Sequence, residues 1–151
     1  SGIDRIEFMV AANPGTPLAP LMKVASGGEL ARFMLALKVI LASKGSAPTL
    51  IFDEIDTGVG GAVADAIGGR LSLLAENLQV LAVTHSPQVA ARASQHMLIS
   101  KMEEVASKRM VTRVQPLSSG SRREEVARML SGAQVTEAAR AQADELLQGR
   151  G

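Results

Sequence analysis

An α/β fold, with a mostly parallel sheet flanked by helices, is predicted by three features of the chain. Thr49-Leu50-Ile51-Phe52 and Val80-Leu81-Ala82-Val83 are short continuous apolar runs of the kind that form buried parallel strands. The stretches after Ser26 and from Gly61 to Leu78 repeat apolar residues at a helical period. Met97-Leu98-Ile99 and Met110-Val111-Thr112-Arg113-Val114 read as a small β-hairpin. The 151 residues, 46% of them hydrophobic, suit one domain or lobe with an apolar core.

Each element has a local rationale. Arg5-Ile6-Glu7-Phe8-Met9-Val10 begins with polar/apolar alternation and reads as a strand, stopped by the turn residues Asn13-Pro14-Gly15. After Ser26, the residues Leu30, Phe33, Met34, Leu37, Ile40 and Leu41 form one expected apolar helix face. Ser46-Ala47-Pro48 turns the chain into the first apolar strand. Val63, Ile67, Leu71, Leu74 and Leu78 line one face of the next helix. Ser86-Pro87 supplies a turn and the first position of a further helix. The charged connection from Lys101 to Arg109 is expected to be a solvated loop of the hairpin. Ser118-Ser119-Gly120-Ser121 marks a break before two tail helices, Arg122 to Leu130 and Glu137 to Leu147, stopped by Gly132 and Gly149. Arg122-Arg123 reads as a solvated helix start in preference to a contact with DNA phosphates, because charges of both signs stand beside it.

Three groups in this layout carry chemistry. Ser26 and Glu29 stand in capping-box positions at a helix start. That helix end offers N–H groups and a positive dipole, and Gly27 and Gly28 have no side chain to hold a phosphate off. The first apolar strand delivers Asp53 and Glu54 at its C-terminal end, where open α/β sheets bind ligands. The second runs into Thr84-His85, which brings a histidine to the same edge.

In that order, these residues resemble the C-terminal lobe of an ABC-type P-loop ATPase head. Ser26-Gly27-Gly28-Glu29 is similar to the signature motif, Leu50-Ile51-Phe52-Asp53-Glu54 to Walker B, and Thr84-His85 to the switch loop. Ala25 to Lys38 and Phe52 to Gly61 look most like the RecN family of SMC-like bacterial DNA-repair proteins. Asn13-Pro14-Gly15, Pro20-Leu21 and Glu125-Val126-Ala127-Arg128-Met129-Leu130 fit the same family, so the resemblance covers nearly the whole chain. Transporter ATPases usually carry Gln at the place of Glu29 and Pro at that of Ile55. SMC and Rad50 relatives share the Glu but usually place Asp where this chain has Gly60, so the usual D-loop carboxylate does not carry over, and Asp56 receives no role.

The resemblance implies ATP sandwiched between two heads, in an ATPase serving double-strand-break repair and recombination. Ser26, Gly27, Gly28 and Glu29 would serve the nucleotide in trans, with Ser26 and Gly28 on the γ-phosphate. Asp53 would support Mg2+, usually through water, Glu54 would be the general base, and His85 would sense the γ-phosphate. The chain lacks the Gly-x-x-x-x-Gly-Lys-Ser/Thr loop and any long heptad run. Residues 1–151 are therefore expected to be the C-terminal half of a head, excised or split, with Ser1-Gly2 a cloning remnant, inactive alone. Its expected partners are the N-terminal Walker A lobe, a second head in an ATP-dependent homodimer, and DNA. An SMC/Rad50-like chromosome-maintenance head and a non-catalytic interaction lobe are the alternatives.

Composition sets outer bounds. A net charge of +1 is no polyelectrolyte signature, and with neither Trp nor Tyr there is no aromatic platform for bases. The absence of Cys excludes a disulfide scaffold. No apolar stretch approaches the roughly 20 residues of a membrane span. The expected setting is cytoplasmic and nucleoid-associated.

Overall fold

The computed structural model describes residues 2, 6–11, 14–24, 27–41, 47–104 and 109–149, apart from the side chains of 24, 27–29, 31 and 38. Along it run β1 (Met9–Val10), β2 (Ala19–Pro20), α1 (Leu21–Val24), α2 (Gly27–Ile40), β3 (Thr49–Asp53) and α3 (Gly61–Ala75). Then come β4 (Gln79–Val83), α4 (Pro87–Arg92), β5 (Met97–Glu104), β6 (Arg109–Pro116), α5 (Ser119–Ser131) and α6 (Glu137–Gln148).

The two predicted apolar strands pair in parallel, in register from Thr49 opposite Gln79 to Asp53 opposite Val83. Leu50, Phe52 and Val80 turn inward against Leu35 of α2, Ile67, Leu71 and Leu74 of α3, and Val89 of α4. Each fully buried member contributes about 1.5–3 kcal/mol and the partly buried strand residues less, so this cluster holds the parallel pair and its helices together. The strands were expected to be buried on both faces, yet Ile51 is 70% exposed, and Leu81 and Val83 are also exposed. Helices cover one side of the pair, and among the described residues nothing covers the other.

Several boundaries and faces depart from expectation. Of the described residues 6–10 only Met9–Val10 is strand, its antiparallel partner Ala19–Pro20 being equally short, and Arg5 lies outside the described residues. The Phe8 carbonyl accepts from the Leu21 amide at 2.8 Å, and the Phe8 ring meets Phe33 edge-on at 5.6 Å. Among the described side chains of α2 the buried one is Leu35, absent from the expected face, whereas Ile40, and Leu41 just past the helix, are exposed. That helix is apolar on more than one side, and packing on α3 selects Leu35 and Val39, one turn apart. In α3, Ala64 is buried and Val63 exposed, and the helix stops at Ala75, leaving Leu78 to pack from beyond its end.

The hairpin is longer than expected. Lys101 to Glu104 belong to β5 and Arg109 to β6, with Glu104 opposite Arg109, so the described part of the charged connection is strand, and 105–108 lie outside the described residues. Both ends of the tail follow capping rules. Ser118 caps α5 by accepting from the Ser121 amide, and Thr136 caps α6 by accepting from the Ala139 amide at 3.1 Å. The expected Ser/Gly break is thus a cap plus the first turn of α5. Gly132, at φ +79°, ends α5 in a conformation that favours glycine. Val126, Ala127, Ala139 and Ala143 form a second core, where three alanines let α5 and α6 approach closely.

Arg122 departs from the expected solvated helix start. Arg122 is buried, and its guanidinium donates to the carbonyls of Ala90, Ala91 and Ala93 at 2.9, 3.1 and 2.6 Å. It closes the C-terminal end of α4, whose last carbonyls lack helical partners and carry the negative end of the dipole. Arg123 makes a two-pronged contact with Asp144 at 2.6 and 2.7 Å, tying α5 to α6. Arg122 is thus neither a solvated start nor a surface offered to phosphates, whereas the part-exposed Arg123 is engaged in an ion pair.

Between the two cores, α4 lies on α3. A Cβ on Gly68 would stand 2.8 Å from Arg92 Cγ, so glycine permits the approach. Arg92 in turn holds both oxygens of Asp65, at 3.0 and 3.1 Å. Among the described residues no helix is long and apolar enough to cross a membrane.

Candidate functional site

The C-terminal edge of the parallel pair collects the predicted carboxylates and the histidine. Asp53 is the last residue of β3 and lies opposite Val83, the last of β4. The Glu54 amide extends the ladder by one bond, donating to the Val83 carbonyl at 3.1 Å. Two residues beyond Val83 stands His85. Asp53, Glu54 and His85 are all exposed, and their side chains have no hydrogen-bond or ion-pair partner among the described residues.

Glu54 has φ +50°, the only positive φ outside glycine among the described residues. An L-residue there is strained, and such strain concentrates at functional sites. The surrounding turn holds it. Ile55, directly after, has no exposed surface and sits in the main core. The Thr57 amide donates back to the Glu54 carbonyl at 3.1 Å, and Gly58 takes φ +74°. The Glu54 side chain therefore projects from a backbone moored on both sides.

Asp56, given no role from sequence, is the buried acid of this turn at 3% exposure. Its Oδ2 accepts from the Thr84 hydroxyl, in a short contact, and from the Ser86 amide at 3.2 Å. The Ser86 amide also donates to Thr84 Oγ1 at 2.9 Å. Asp56 thus joins the turn after β3 to the loop after β4. The signal available in sequence was an acid two residues past Glu54, set against hydroxyl residues on both sides of His85.

The helix-start group is placed only in part. Gly27 and Gly28 begin the 14-residue helix α2, whereas Ser26 and the side chain of Glu29 lie outside the described residues. Gly60, where a D-loop acid was missing, is the extended N-cap of α3 and makes no side-chain cap bond.

The edge suits a magnesium nucleotide in its donor chemistry. Magnesium sites on phosphates use one or two carboxylates, with phosphate oxygens and water completing the shell. Asp53 and Glu54 offer that number. Among the described residues no cluster of three or more His, Asp or Glu forms a self-sufficient metal cage.

No family model matches the chain. DNA repair protein RecN of Xylella fastidiosa strain Temecula1 is 47% identical over 148 residues, which are 98% of this chain and 26% of that protein. RecN of Bacillus subtilis is 47% identical over 146 residues, or 97% of this chain and 25% of that protein. The chain is RecN-like over almost its whole length. It spans about a quarter of the length of the curated relatives it matches.

Solved SMC heads share the fold of this RecN-like chain. A chain from work on ATP-driven dimerisation and DNA-stimulated activation of SMC ATPases superposes with TM-score 0.56 at 20% identity, covering 83% of this chain and 81% of that one. The Smc head domain with coiled coil and joint of Pyrococcus yayanosii gives 0.53 at 23% identity, over 78% of this chain and 24% of that one. The α/β arrangement is that of an SMC-type head, and the edge bearing Asp53 and Glu54 belongs to the RecN-like sequence.

Proposed function

We propose that residues 1–151 are the C-terminal half of the ATPase head of a RecN-like protein acting in DNA double-strand-break repair and recombination. The observation that carries this reading is the meeting of Asp53, Glu54 and His85 on one parallel-strand edge in a RecN-like sequence. A separate SMC/Rad50-like role is less well supported, since identity is 20–23% to the SMC heads against 47% to RecN.

The chain's residues divide the work as follows. Asp53 would hold Mg2+, through water, when the nucleotide is bound. Bound magnesium neutralises phosphate charge as it builds up in the transition state. Glu54 takes the proton of the attacking water, whose oxygen forms a bond to the γ-phosphorus as the bond to ADP breaks. His85 contacts the γ-phosphate and reports its presence. Ser26, Gly27 and Gly28 at the start of α2 cradle the γ-phosphate bound by a second head, with Glu29 holding the helix start. Hydrolysis thereby depends on an ATP-dependent homodimer.

The Walker A loop comes from the N-terminal lobe of the same protein. We assign the uncovered sheet face of Ile51, Leu81 and Val83 to contact with the rest of the head, since parallel sheets are normally covered on both sides. DNA binding belongs to the complete protein, in a cytoplasmic, nucleoid-associated setting, and this chain alone is inactive.

The test is ATP hydrolysis by this chain mixed with a Walker A lobe, compared with each piece alone and with Glu54→Gln in the mixture. Turnover only in the mixture and lost on Glu54→Gln is expected. Turnover by the chain alone, or wild-type rates in the Glu54→Gln mixture, would overturn the reading.

A further inference from the structure

His85 follows the last strand residue by two positions, in a segment outside any helix or strand. Its exposed imidazole has no partner among the described residues, so its placement depends on what holds the backbone to either side. Thr84 and Ser86 are those neighbours. Both donate to a single carboxylate oxygen, Oδ2 of Asp56, through the Thr84 hydroxyl and the Ser86 amide. Asp56 itself lies two residues past Glu54 and is buried beside fully buried Ile55. The two side chains proposed to meet water and the γ-phosphate therefore stand on loops clamped to one another by one acid.

We propose that Asp56 is a positioning residue for His85, fixing the histidine relative to Glu54 by gripping the residues before and after it. The proposal rests on the ATPase reading of this edge. A carboxylate receiving a hydroxyl and an amide in a buried site makes stronger hydrogen bonds than a water-exposed one, which makes it a stiff clamp. Its action runs through geometry. A reacting constellation displaced by about 1 Å loses on the order of a hundredfold in rate, while nucleotide binding depends on other contacts.

The test uses the intact protein with steady-state ATP hydrolysis. Asp56→Ala and Thr84→Val are each expected to lower kcat by roughly tenfold to a hundredfold with KM for ATP unchanged. Asp56→Asn, which keeps an acceptor oxygen, and Thr84→Ser, which keeps the hydroxyl, should each recover most of the rate. In a His85→Ala background, Asp56→Ala should produce no further loss, because both changes remove one interaction.

Independent, multiplicative losses in the double variant would overturn the proposal. So would an unchanged kcat in Thr84→Val, or a loss confined to KM. Should Asp56→Ala fail to fold, the Thr84→Val and Thr84→Ser pair in the His85→Ala background decides the matter. Failure of the underlying reading is seen separately, as wild-type turnover in Glu54→Gln, whereas failure of the clamp leaves Glu54→Gln inactive and Thr84→Val active.

Discussion

The strand edge and the tail helices use charge in opposite ways. At the edge, Asp53, Glu54 and His85 are exposed and have no partner among the described residues, and Glu54 sits on a strained backbone. In the tail, Arg122 is engaged by the backbone carbonyls of Ala90, Ala91, Ala93 and Ser94, Arg123 by Asp144, and Arg140 by Glu124 and Glu137. The difference separates charge that holds the fold from charge the fold does not engage. Stability should therefore be sensitive to the tail and nearly indifferent to the edge, while turnover shows the reverse.

The strongest way to break that contrast is Arg122→Ala. Removing a buried cation from several carbonyls should lower unfolding free energy by about 3 kcal/mol, since single hydrogen bonds to charged groups are worth about 1.5–3 kcal/mol. Arg122→Lys should rescue little, because an ammonium cannot span the same carbonyls. A urea midpoint near wild type would show that the tail's charge is not structural.

Next in size is Gly68→Ala. The new Cβ meets Arg92 Cγ at 2.8 Å, and Arg92 is held by Asp65, so a loss of about 1–2 kcal/mol is expected from overpacking. Gly69→Ala, with open space around its Cβ, is the matched control on the same helix and should be neutral or better.

Acid should sharpen the contrast further. The hydrogen bond from Arg123 holds Asp144, and that from Arg140 holds Glu124, below the ordinary carboxylate range. Stabilisation from both is complete above the unfolded values and is lost as pH falls through the lowered folded ones. Burial, and then the charge of Arg122, hold His96 below the ordinary histidine range, against the opposing pull of Glu125. Its folded state prefers the neutral ring, so that contribution is full above the unfolded value and declines as pH drops beneath it. Urea midpoints against pH should show an upper limb removed by His96→Gln and a lower one reduced by Arg123→Ala.

The smallest expected effect is at Glu54. Glu54→Gly relieves the positive φ, offset by the greater freedom of glycine when unfolded, so stability should change by less than about 1 kcal/mol. Hydrolysis by the complete protein should nonetheless vanish. A large drop in melting temperature would place Glu54 among the groups that hold the fold.

The sequence made the edge legible because the governing rules are local. An apolar run long enough for one strand, ending in acids, puts those acids at a sheet edge whatever surrounds it. Asp56 and Arg122 were opaque for the opposite reason. Arg122 binds backbone carbonyls 28–32 positions earlier, and a carbonyl leaves no mark in sequence. The Lys101 to Glu104 segment misled because an exposed hairpin strand tolerates the same charges as a loop. In α2, more apolar positions were present than one interface needs, and only packing on α3 chose Leu35.

The bond from the Glu54 amide to the Val83 carbonyl gives the edge a built-in isotope clock. That proton leaves for deuterium when the two strand ends part, although the side chain of the same residue stands in water. Its exchange rate would register each fleeting separation of the loops, and any ligand that locks them together should slow the clock before a single turnover is counted.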